Sequence, residues 1–99
     1  MSNIKLIKKE IKKLGSVPYI ITADITDLEK IKSSINDLIH SCGKIDILVN
    51  NAAITLPEPS DTYSEDKWEK TYMINLKAPF KLSQMAAKFM KKQGGGVII

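Results

Sequence analysis

Arginine is absent from this sequence. All 15 basic residues are lysines, set against 11 acidic residues for a net charge of +4 over 99 residues. Arginine is the side chain best suited to bidentate contacts with bases and phosphates, so its absence argues against a reader of nucleic acid, and no such partner is expected. The lysines fall mostly on the polar faces of expected helices, as on an ordinary solvated surface. Cysteine is nearly absent. The single Cys42 cannot form an internal disulfide and suits a reducing compartment. It lies on the apolar stripe of an expected helix, where packing outweighs reactivity. No apolar run is long enough to span a bilayer. The opening Met1-Ser2-Asn3-Ile4-Lys5-Leu6-Ile7-Lys8-Lys9 threads lysine through its apolar residues and has no signal-peptide core. A cytoplasmic location is therefore expected, with no membrane partner and no metal site.

What is present suffices for a core: 43% of the residues are hydrophobic, in a length that fits one small domain. Ile4, Ile7, Ile11 and Leu14 recur at helical spacing, and Gly15 supplies a stop. Val17 to Ala23 is expected to be a strand, with Pro18 near its start where a missing N–H is tolerated. Thr26 or Asp27 can cap the next helix, whose stripe is Leu28, Ile31, Ile35, Leu38, Ile39 and Cys42, ended by Gly43.

Ile45 to Val49 is short, β-branched and hardly interrupted by charge, so it is expected to be a central parallel strand buried on both faces. It runs into Asn50-Asn51-Ala52-Ala53. In open α/β sheets ligands sit outside the carboxyl ends of the strands; asparagine offers uncharged donors and an acceptor there, and alanine allows close approach. A polar turn after a buried strand is the plainer alternative. The prolines Pro57 and Pro59 mark a loop. Ser64 is placed as the N-cap of a long helix reaching about Gln93, without a capping box because Lys67 stands at N3. Gly94-Gly95-Gly96 then turns into a last strand, Val97-Ile98-Ile99. These glycines follow a helix and precede a strand, the reverse of a phosphate-binding loop. Helix and strand thus alternate three times, the pattern of a doubly wound α/β sheet.

Four of these elements, in this order, resemble the short-chain dehydrogenase/reductases. Asp24-Ile25-Thr26 is similar to that family's acidic-aliphatic-hydroxyl element at the adenine. Asn50-Asn51-Ala52-Ala53 is similar to its Asn-Asn-Ala-Gly element, with Ala53 in place of glycine. Asn75 in Tyr72-Met73-Ile74-Asn75-Leu76 matches its helix asparagine, and Gly95-Gly96-Val97-Ile98-Ile99 matches the run into its fifth strand. The resemblance implies a Rossmann-type fold in which residues 1–99 form part of a dinucleotide-binding domain, supplying the family's third, fourth and fifth strands. It implies NAD or NADP as cofactor, at Asp24, Ile25, Asn51, Ala52 and Ala53, and a catalytic role for Asn75. It also implies alcohol–carbonyl interconversion by hydride transfer on a small substrate, and a homo-oligomer built partly on the long helix. Asp24 could instead simply cap a turn, and Asn50 could tie neighbouring strands together. Trp68, Tyr72, Phe80 and Phe89 are expected in core and subunit contacts.

The family's glycine-rich loop and its catalytic Ser and Tyr-x-x-x-Lys are not among these residues. Tyr63-Ser64-Glu65-Asp66-Lys67 contains a tyrosine and a lysine, but ahead of the helix that carries Asn75 rather than after the fifth strand. The chain is therefore expected to be inactive by itself, the alternative being a non-catalytic α/β interaction module that self-associates. Pro79 adds an expectation of its own. It has no N–H for the carbonyl four residues back, that of Asn75, and should kink the helix and free that carbonyl to hold a water, which in the family belongs to the proton relay. Val17–Ala23 poses a folding problem, since its strand neighbours in the family are missing. Three situations are expected: the chain is part of a longer molecule, or it is a truncated form unstable alone, or it closes the gap by pairing Val17–Ala23 directly with Ile45–Val49 or between chains.

Overall fold

The computed structural model describes residues 3–99. Helix α1 spans Asn3–Lys13 and α2 spans Leu28–Cys42. Strand β1, Ile47–Leu48, precedes a loop with one 3-10 turn at Ser60–Thr62. Helix α3, Glu65–Tyr72, passes through a π-helical turn, Met73–Lys77, into α4, Ala78–Gln93, and β2, Val97–Ile98, follows. Caps fall where the sequence puts them. Asp27 accepts the Lys30 N–H, and Gly43 and Gly94 end their helices in the left-handed conformation that glycine adopts without a Cβ penalty.

The two strands pair in parallel, Ile47 beside Val97 and Leu48 beside Ile98. Flanking bonds extend the ladder: Val97 N–H donates to Asp46, Ile99 N–H to Leu48, and Asn50 N–H to Ile99. The expected strand at Val17–Ala23 does not form, nor does it pair with β1. A strand needs a neighbour to take its N–H and C=O groups, and β1 offers its ladder to β2 alone. Nor is β1 covered on both faces. Ile47 and Val49 are each 59% exposed while Leu48 and Asn50 are half-buried, the period-two alternation of a sheet with a helix on one side only.

The buried core consists of Ala78, Leu82, Ala86 and Met90, one stripe of α4. The radius of gyration is 16.2 Å, where a compact chain of this length has about 13 Å. The accessible surface is 7637 Å², against about 5600 Å² for a compact monomer. Trp68, Tyr72 and Phe80, expected in contacts, are exposed, and Phe89 is half-buried. Cys42, expected to be packed, is exposed as well; it is the last residue of α2.

The long helix is continuous but changes register. Backbone angles stay right-handed helical at Met73 (φ −61°, ψ −44°) and Ala78 (φ −63°, ψ −48°). The Ala78 N–H donates to Met73 O, five residues back. Pro79 is thus accommodated by a π turn instead of by the plain kink expected from the sequence. Ile74 O loses its ordinary donor to Met73, and Asn75 O loses its own because residue 79 has none to give.

Candidate functional site

The strand exit is held by the long helix through three polar rungs. At the start of the strand, the Ile45 N–H donates to Gln93 Oε1 at 3.1 Å and Gln93 Nε2 donates to the Ile45 carbonyl. At its end, Asn50 Nδ2 donates to Ser83 Oγ at 3.2 Å, and the Ser83 hydroxyl donates to Pro79 O at 2.7 Å. Beyond the exit, the Ile54 N–H donates to Asn75 Oδ1 and Asn75 Nδ2 donates to Ile54 O, both at 2.8 Å. The two carboxamides, of Gln93 and Asn75, each pair with both the N–H and the C=O of a single residue, as a neighbouring strand would. Asn51, Ala52 and Ala53 lie between the second and third rungs and are exposed.

Ala53, where the resembled motif has glycine, carries no strain, because no described residue other than glycine has a positive φ. Asn75 is brought directly to the strand exit. Asp24 is engaged locally: its Oδ1 accepts the Thr26 N–H at 2.8 Å and the Thr26 hydroxyl at 2.7 Å, and its carbonyl accepts the Asp27 N–H. This is the capped turn that the sequence left open as the alternative to adenine contact. The Thr26 hydroxyl, then its N–H, hold the Asp24 carboxyl below its ordinary pKa. Among the described residues Oδ2 accepts no hydrogen bond, and no bond ties Asp24 or Ile25 to residues 50–54.

Tyr63 and Lys67 have three residues between them, the spacing of a Tyr-x-x-x-Lys pair, yet their surroundings are structural. Tyr63 is extended (φ −60°, ψ 126°), outside the helix. Its hydroxyl donates to Leu56 O at 2.6 Å, while Lys67 Nζ pairs with Glu58 Oε1 at 2.6 Å. Glu58 also accepts the Ser64 N–H at 3.0 Å, and Ser64 Oγ accepts the Lys67 N–H at 3.4 Å. In a capping box a Glu or Gln at N3 accepts the N-cap N–H. Here Lys67 occupies N3, and Glu58 reaches in from the loop to do that work. Lys67, followed by the Ser64 N–H, holds the Glu58 carboxyl below its ordinary pKa. Beside this cap lies an open groove of about 570 Å³ walled by Tyr63, Trp68, Thr71, Tyr72 and Leu76.

Sequence reasoning missed Ile54, Ser83 and Gln93. Signals existed for two of them: Ser83 stands four residues after Pro79, and Gln93 is the last helical residue before the glycines. Nothing in Ile54 itself marks it, because its backbone makes the bonds. Among the described residues no acidic, His and Cys cluster suits a metal ion, and no helix is long and apolar enough to cross a membrane.

A parallel strand pair with a helix against one face and an asparagine-rich strand exit make a Rossmann-like α/β arrangement. Residues 2–99 match the family described as short chain dehydrogenase, and the chain belongs to that family. It is 41% identical over 90 residues to an uncharacterized oxidoreductase of Thermotoga maritima, covering 90% of this chain and 35% of that protein. It is 39% identical over 90 residues to the 7alpha-hydroxysteroid dehydrogenase of Escherichia coli, covering 91% and 35%. A solved gluconate 5-dehydrogenase from Burkholderia cenocepacia, in complex with NADP and tartrate, superposes with a TM-score of 0.84 at 28% identity, covering 94% of this chain and 36% of that one. The chain spans between 35% and 39% of the length of the first curated relatives it matches.

Proposed function

We propose that residues 1–99 are part of the dinucleotide-binding domain of an NAD(P)-dependent oxidoreductase that interconverts an alcohol and a carbonyl. On this reading Val17–Ala23, the β1 region and the β2 region correspond to the family's third, fourth and fifth strands. The observation that carries it is the Asn75–Ile54 pair, which holds Asn51, Ala52 and Ala53 open to solvent at the carboxyl end of a parallel strand. The nicotinamide cofactor, when bound, supplies or accepts the hydride. Asn51, Ala52 and Ala53 would form a small, uncharged wall for its adenosine side, and Asp24 Oδ2 and the Ile25 backbone would meet an adenine edge. Asn75 is the family's helix asparagine, and its carbonyl, deprived of an i+4 donor by Pro79, is suited to hold a water.

The floor for the phosphates and the tyrosine acid are not among these residues, so the chain alone binds cofactor weakly and does not turn over. Fluorescence titration with NADH and a coupled NADPH-oxidation assay with simple ketones test this. Weak binding without oxidation is expected, and measurable oxidation by the pure chain would overturn the claim of inactivity. The second reading, a self-associating non-catalytic module, is favoured by the bare face of β1 and by the exposed Trp68, Leu76 and Phe80. Light scattering that shows a concentration-dependent oligomer, with no effect of NADH on the melting temperature, would select it.

A further inference from the structure

We propose that Ser83 is a positioning residue for the strand exit, the middle rung that sets the height of Asn51–Ala53 against the long helix. The proposal rests on the cofactor-edge reading given above. The apolar contacts are poorly suited to this task. The four buried residues include two alanines, and smooth apolar surfaces let a strand slide along a helix, whereas hydrogen bonds fix position. The outer rungs pin Ile45 to Gln93 and Ile54 to Asn75. At about 3.3 Å per extended residue and about 1.5 Å per helical residue, the strand segment reaches at most about 30 Å, against about 27 Å of helix. The ends alone leave slack of about two helical residues, enough for Asn51–Ala53 to shift. Asn50 and Ser83 divide this span into parts that match: at most about 16 Å of strand beside about 15 Å of helix, then about 13 Å beside about 12 Å.

The rung also has a polarity. The Ser83 proton is committed to Pro79 O, so the hydroxyl presents only lone pairs to Asn50, and the carboxamide must turn its Nδ2 toward it. Asn50 Oδ1 is consequently left buried without a partner. A buried acceptor without a partner is costly, so this orientation of the amide depends on the bond that Nδ2 makes to Ser83.

Ser83→Thr and Ser83→Val test the rung at equal side-chain volume, one keeping the hydroxyl and one removing it. In the ¹⁵N-labelled full chain, the Asn50 side-chain NH₂ resonances should keep their wild-type position in Ser83→Thr and move to solvent-like values in Ser83→Val. The amides of Asn51–Ala53 should exchange about fivefold faster in the Val variant alone, the effect of losing one hydrogen bond. A Val variant that fails to fold while the Thr variant folds supports the rung. Identical behaviour of the two overturns it. If the branched side chain unfolds both, Ser83→Ala against wild type gives the same comparison, and unchanged Asn50 resonances overturn the proposal. NADH titration of the same samples separates the two claims. Wild-type chain whose Asn51–Ala53 resonances ignore NADH defeats the cofactor reading, and with it the positioning role for a cofactor. Where NADH binds, equal affinity in the Thr and Val variants overturns the positioning role alone.

Discussion

Ala53, Asn75 and Gly96 show how far single positions determine the strand exit. Ala53 has an ordinary backbone conformation, so restoring the family's glycine relieves nothing and only frees the unfolded chain. Ala53→Gly should destabilise by about 0.5–1 kcal/mol in urea titration. Asn75→Ala removes both bonds to the Ile54 peptide and should cost about 1–2 kcal/mol in the same measurement. Asn75→Asp, which cannot donate to Ile54 O, should not restore it. Gly96 is required for closeness: a Cβ there would stand 2.5 Å from Cγ and Sδ of the buried Met90. Gly96→Ala should cost about 1–3 kcal/mol by overpacking, and a melting temperature equal to wild type would show that Met90 yields freely.

At the scale of elements, the start of α3 depends on a carboxylate that the helix does not own. Glu58 accepts the Ser64 N–H and is held by Lys67. Its folded pKa lies below the ordinary value, so the stability it lends is present above the ordinary glutamate range and fades as pH falls through the depressed folded value. Asp24 contributes in the same sense to the turn before α2. Helicity followed by circular dichroism should therefore decline in acid, and Glu58→Gln should blunt that decline. Superimposable acid limbs for the two proteins would rule out this role for Glu58. The helices were largely legible in the sequence, because apolar periodicity, Asp27, Ser64, Gly43 and Gly94 are local signals. The π turn was legible only as a disturbance at Pro79: proline announces a missing donor, but whether the helix bends or shifts register depends on its neighbours. Val17–Ala23 has the composition of a strand and is none, because a strand is completed by a partner that its own sequence cannot supply.

As a whole molecule, the chain has a wider radius and a larger surface than a compact chain of its length. Only four of the described residues are buried, and cooperative unfolding draws on buried area. Urea titration should therefore give a broad transition at low denaturant, and a sharp transition in monomeric material would refute that expectation. The candidate site was legible to the same degree as the fold. Asn75 and the strand exit do meet, whereas Asp24 makes only local bonds, since nothing in the described residues bridges its turn to β1.

The three rungs also bear on how this stretch of chain can change over time. Substitutions that keep a carboxamide at 75 and 93 and a hydroxyl at 83 leave the attachment intact, whatever happens to the side chains of Asn51, Ala52 and Ala53. Insertions and deletions are different. Adding or removing one residue between Ile45 and Ile54 would put two fixed peptides out of step with their partners on the helix and turn the following strand residues to the opposite face. The wall can vary in chemistry but not in number of residues, so its length is the more constrained property.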